Sequence, residues 1–208
     1  HRTVLVHFAV SAEEQVQRIS DLGAIVSGNP YDVTALSDHY SSVGLGPTRA
    51  DAMVRLGDVS RAGISWSLHS DMPMAPADPL FLMWCAVNRV TSSGRVAGPG
   101  QRVGAEEALR GVTIEAAYSL KLEDEIGSIE PGKRANFTIL DDNPIAVDPM
   151  KIKDVKVWGT VMEGRVFPVE KAERKASLMP PVAGAGNIDA DFAPATLEHA
   201  LKVVHTHL

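Results

Sequence analysis

The chain has 208 residues, 45% of them hydrophobic and 22% charged, with a formal net charge of -6 and a single cysteine. A chain of that length buries a core without staples, and no uninterrupted apolar run approaches the roughly 20 residues of a membrane helix. Lys and Arg are scattered, so the expectation is a globular protein that binds neither nucleic acid nor membrane.

The chain opens with HRTVLVHF, with no Met and no lead-in to a first strand, and reads as the back part of something longer. TVLVHF (3–8) is a short apolar strand with His7 near its end. Ser11 with Glu14 predicts a capping box for a helix whose apolar face is Val16, Ile19 and Leu22 and whose stop is Gly23. AIVSG (24–28) is a second buried strand ending in Asn29-Pro30, followed by a polar loop around Asp38-His39-Tyr40. Met53, Leu56 and Val59 at helical spacing predict one helix over 49–62, closed by Gly63. ISWSL (64–68) is the third strand and ends in His69-Ser70-Asp71. Uninterrupted apolar strands alternating with helices predict a parallel sheet covered on both faces, with His7, Asn29 and Asp71 on one rim.

Two more helices are expected near 78–90 and 104–120, separated by a surface loop, SSGRVAGPGQ. Cys85 lies in the apolar run PLFLMWCAV and reads as a small buried hydrophobe. From about residue 125, short strands punctuated at Pro131-Gly132 and Glu163-Gly164 predict a small, separate β unit. Beyond 169 come a Pro/Gly/Ala linker and a helix with Leu197, Leu201, Val204 and Leu208 on one face.

His7 and Asp71 form the best candidate constellation, because both suit a borderline divalent cation and both fall at carboxyl ends of strands. A satisfied core histidine and a capping aspartate would give the same pattern. Ser70 between His69 and Asp71 lacks the G-x-S-x-G elbow of a hydrolase, and VAGPGQRVG lacks the setting of a phosphate loop. His205-Thr206-His207 reads as a solvated helix end, and His39 and His199 as surface residues.

VLVHF, LGAIVSGNP, LGPTR, AGISWSLHSDMP, DPLFLMWCAVNRV, EEALRGVTIEAAYSL and EIGSIEPGKRANFTIL, in that order, resemble the amidohydrolase superfamily and, within it, the YtcJ-like branch (amidohydrolase family 3). The resemblance implies an α/β fold: the carboxy-terminal part of a (β/α)8 TIM barrel, about strands 6 to 8, over residues 1–124, then a β-sandwich portion over 125–168. Residues 169–208 are left as linker and terminal helix. It implies that His7 is the sixth-strand metal ligand and that Asp71 is the eighth-strand ligand and the proton acceptor for the attacking water. Asn29, Tyr31 and His69 are placed to line the substrate pocket. The implied cofactor is one or two divalent ions, zinc by expectation, and the implied reaction is hydrolysis of a C–N bond in a small amide-type substrate. The first five strands with their ligands are absent, and Asn136 stands where the sandwich signature usually has aspartate. The chain alone is therefore expected to be inactive and to pair with an amino-terminal half or with itself. The alternative is a non-catalytic regulatory or binding protein built on the same barrel, like the exoenzyme regulatory proteins.

Overall fold

The computed structural model describes residues 2–169, so the expected terminal helix and the His205-Thr206-His207 pair lie outside the described residues. Three parallel strands, β1 (Val4–His7), β2 (Ile25–Gly28) and β3 (Trp66–Leu68), form a sheet in that order. β2 and β3 are almost wholly buried. β1 is only half covered, with Val6 56% exposed, so burial on both faces holds for two of the three strands.

Helix α1 (Glu13–Asp21) packs Val16 and Ile19 inward. Its N-cap is Ala12 rather than Ser11, and Gln15 rather than Glu14 reaches back, accepting from the Ala12 N–H at 2.8 Å. The Ser11 carbonyl instead accepts from Arg55 Nε at 2.8 Å. Helix α2 (Tyr31–Ser42) occupies the stretch expected to be a loop. Its inward face is Asp32, Val33, Thr34 and Ser37, too polar to show as an apolar stripe.

The single helix expected over 49–62 is two, α3 (Pro47–Asp51) and α4 (Leu56–Arg61). Val54 between them has a φ of 46°, and the carbonyls of Met53 and Val54 accept from Arg89 instead of continuing a helical ladder. Helix α5 (Pro79–Asn88) is buried all round and is capped by Asp78, which accepts from the Phe81 N–H at 3.2 Å. Cys85 within it is fully buried, and burial pushes its thiol up to about 12, which leaves it inert at neutral pH.

The helix expected over 104–120 also divides, into α6 (Ala105–Gly111) and α7 (Ile114–Leu120). At the break, Thr113 Oγ1 donates back to the Leu109 carbonyl at 2.7 Å.

Three antiparallel strands follow: β4 (Phe137–Leu140), β5 (Val157–Met162) and β6 (Arg165–Pro168). The turn joining β5 and β6 has Glu163 and Gly164 both at positive φ, as a tight two-residue hairpin requires. Asn136 braces it by accepting from the Glu163 N–H at 2.8 Å. This unit is tied to the rest through a 3-10 turn over Pro149–Asp154. Ile152 there enters the common core, and Trp84 and Asn88 donate to the carbonyls of Met150 and Pro149.

The tightest glycine-dependent approach among the described residues is at Gly98. Gly98 has a φ of 55°, and a Cβ there would stand 2.0 Å from the Asp51 carbonyl oxygen. Gly98→Ala is therefore expected to lower stability by about 3 kcal/mol or more, read as a lower urea midpoint with an unchanged slope.

Candidate functional site

The strand register builds the site. His7 pairs with Gly28 and Gly28 with Leu68, so the three strands end level. The Asn29 N–H donates to the His7 carbonyl at 3.2 Å, and the His69 N–H to the Gly28 carbonyl at 3.0 Å, which extends the ladder one residue past each strand. His7 and Asp71 then turn outward in the left-handed region, with φ of 66° and 49°. That conformation costs roughly 1–2 kcal/mol in a residue with a Cβ, and such strain clusters at functional sites.

His7 and Asp71, the two candidate ligands, do come together. His7 Nδ1 lies 4.0 Å from Asp71 Oδ2, with the side chains 47% and 51% exposed. His69 joins them: its Nε2 is 3.3 Å from His7 Nδ1, with the rings edge to face at 72°, and its Nδ1 is 2.9 Å from Ser27 Oγ. Burial, reinforced by His7 and opposed by Asp71, holds the His69 ring below the ordinary imidazole range.

Asn29 is fully buried beneath the rim. Its amide donates to Asp32 Oδ1 at 3.3 Å and to Met74 Sδ at 3.4 Å, and its Oδ1 accepts from the Tyr31 N–H at 3.2 Å. Met74 in turn donates its N–H to the Asp71 carbonyl at 2.8 Å. Asn29 thus ties the end of β1 to the loop that carries Asp71. Tyr31 is half-buried, its ring tilted against Phe81 at 5.7 Å, and burial followed by Cys85 raises its phenol.

Two residues beside the site were not picked out from the sequence. Ser27 sits in an apolar strand and gives no local signal. Asp32 is only 5% exposed, and burial pushes its carboxyl up to about 6, with His7 drawing it down and Asp71 pushing it up. The signal for Asp32 was an acid two residues after Pro30, in the first turn of a helix whose polar inner face hid it.

His7 and Asp71 stand side by side at the rim. His7 is already bonded to His69 through Nδ1 and so has Nε2 as its remaining donor, and an imidazole with a carboxylate is a suitable donor set for a zinc-like cation. Among the described residues no three His, Cys, Asp or Glu side chains converge as a metal cage, so these two would supply part of a coordination sphere.

Comparison with known proteins decides the family. The model described as "Amidohydrolase family" matches residues 1–168. The chain belongs to the amidohydrolase family.

Among curated amidohydrolase relatives, the N-substituted formamide deformylase of Arthrobacter pascens is 32% identical over 160 residues, which cover 77% of this chain and 30% of that protein. The putative amidohydrolase YtcJ of Bacillus subtilis (strain 168) is 27% identical over 166 residues, covering 78% and 31%. A crystal structure of an uncharacterized metal-dependent hydrolase from Pyrococcus furiosus is 32% identical with a TM-score of 0.57, covering 71% of this chain and 29% of that one. The chain therefore spans under a third of the length of these relatives.

Proposed function

We propose that this chain is the carboxy-terminal part of a metal-dependent amidohydrolase that cleaves a C–N bond in a small amide-type substrate. The observation that carries the reading is the convergence of His7 and Asp71, 4.0 Å apart at level strand ends, within a chain of this family. The parallel layer and its helices, residues 1–124, are read as about strands 6 to 8 of a (β/α)8 barrel, and residues 125–168 as a β-sandwich portion.

His7 and Asp71 would hold a divalent metal, zinc by donor type, which when bound lowers the pKa of water toward neutrality and polarises a carbonyl. Asp71 is the acceptor for the proton of the attacking water and its donor to the leaving nitrogen; its half-exposed carboxylate at the rim suits both directions of transfer. His69 and Tyr31 border the position a substrate would take, and Asn29 supports it from below. Hydrolytic zinc sites generally use three protein ligands. The 208 residues alone are thus expected to be inactive, with the remaining ligands supplied by an amino-terminal half.

The test is elemental analysis of the intact protein, with N-substituted formamides first among the amides assayed because of the deformylase relative. One or two ions per chain are expected, lost in His7→Ala and Asp71→Ala, with turnover falling about a thousandfold or more. Full metal content and full turnover in Asp71→Ala would defeat the reading. A folded intact protein that takes up no metal would leave a non-catalytic binding protein on the same scaffold.

A further inference from the structure

We propose that Ser27 and His69 form an anchor that holds the His7 ring as one tautomer, with its proton on Nδ1 and the lone pair of Nε2 presented to a divalent cation. The proposal rests on the reading of His7 as a ligand. Ser27 and His69 would be positioning residues, acting on the cation through His7.

His69 is fixed at two points. Its backbone N–H is held by the Gly28 carbonyl at 3.0 Å, and its Nδ1 by Ser27 Oγ at 2.9 Å. The ring therefore presents Nε2 in a set direction, where it meets His7 Nδ1 at 3.3 Å.

Between two neutral imidazoles one nitrogen must donate and the other accept, so the chain of contacts has two polarities. In one, Ser27 donates to His69, His69 donates to His7 Nδ1, and the His7 proton is forced onto Nε2. In the other, His7 Nδ1–H donates to His69 Nε2, His69 Nδ1–H donates to Ser27 Oγ, and His7 Nε2 is left with a free lone pair. The Asp71 carboxylate selects the second. Its Oδ2 lies 4.0 Å from His7 Nδ1 and favours a proton on that nitrogen. A ligating histidine is typically oriented in this way, by donating its other ring N–H to a fixed acceptor.

The experiment reads the tautomer of His7 by nitrogen-15 NMR in the intact, metal-free protein at about pH 8, above the ordinary imidazole range. The expected result is a dominant Nδ1–H form in the wild type. Ser27→Ala and His69→Phe should move the population toward Nε2–H, and His69→Gln, whose carbonyl can accept from His7, should retain Nδ1–H. In parallel, zinc competition titrations should show His69→Phe binding about 10- to 100-fold more weakly, with His69→Gln recovering part of the loss.

A dominant Nε2–H form in the wild type, or a tautomer unmoved by both Ser27→Ala and His69→Phe, would overturn the proposal. Should His69→Phe fail to fold, the wild type and Ser27→Ala decide it alone. A wild type that binds no zinc would count against His7 as a ligand, while the metal-free tautomer would still decide for or against the anchor.

Discussion

Arg89→Met is expected to lower the stability of the chain by on the order of 4 kcal/mol, a large share of the 5–15 kcal/mol that separates a typical folded domain from its unfolded state. Arg89 is 1% exposed, and among the described residues no carboxylate pairs with it directly. Its guanidinium instead donates to four main-chain carbonyls: Ala97 at 2.7 Å, Met53 at 2.8 Å, Asp51 at 3.0 Å and Val54 at 3.1 Å. Burial pulls its pKa down to about 10, with Asp51 among the groups opposing, so it stays cationic at neutral pH. A methionine of similar length fills much of the space and satisfies none of those oxygens, and each buried carbonyl left unpaired costs about 1–3 kcal/mol. The desolvation that Arg89 no longer incurs offsets part of that sum. Arg89→Lys keeps the charge but not the planar fork, and should lose roughly half as much. Urea unfolding read by fluorescence, with equal slopes for all three proteins, checks the order wild type, Lys, Met. A midpoint for Arg89→Met within error of wild type would show that the carbonyls find other donors.

The same arginine marks where sequence reading reached its limit. The three strands were legible because each is a short apolar run, and their level ends followed from parallel connection. The rim carrying His7, Asn29 and Asp71 is therefore readable from the sequence. The breaks between α3 and α4 and between α6 and α7 were not readable. The first depends on Arg89, some 35 residues away in sequence, taking the carbonyls that a continuous helix would use. The second depends on a threonine hydroxyl whose direction periodicity does not reveal. Helix α2 was missed because it turns Asp32, Thr34 and Ser37 inward, where pattern reading expects apolar side chains. For the site, residue type and strand-end position predict that His7 and Asp71 meet at the rim, as they do, while their reading as ligands comes from the family resemblance. The Ser27–His69 contact joins β2 to the end of β3, and only the fold brings it about.

Asp32→Asn is expected to stabilise the chain at neutral pH and to remove a pH dependence that the wild type shows. Asp32 is buried, and burial, with Asp71 adding to it and His7 opposing, raises its carboxyl to about 6 from an ordinary value of 3.8. Between those two values folding keeps a proton on Asp32 that the unfolded chain has released, so the contribution of Asp32 to stability falls as pH rises from about 4 to about 6 and changes no further above that. Each pKa unit corresponds to about 1.4 kcal/mol, so the ionised carboxylate costs the fold on the order of 3 kcal/mol at neutral pH. Asparagine keeps an oxygen for the Asn29 amide, 3.3 Å away, and carries no charge, but its own amide needs acceptors, so the net gain should be nearer 1–2 kcal/mol. Melting curves of the metal-free protein from pH 4 to 8 should converge for the two chains at the acid end and separate above pH 6, with the variant higher. Parallel curves over that range would mean that Asp32 titrates as an ordinary carboxylate. An acid kept at such a cost, hydrogen-bonded to the asparagine that joins the His7 strand end to the Asp71 loop, is explicable if positive charge is held at the rim, because a cation there would draw the carboxyl back down and offset its burial.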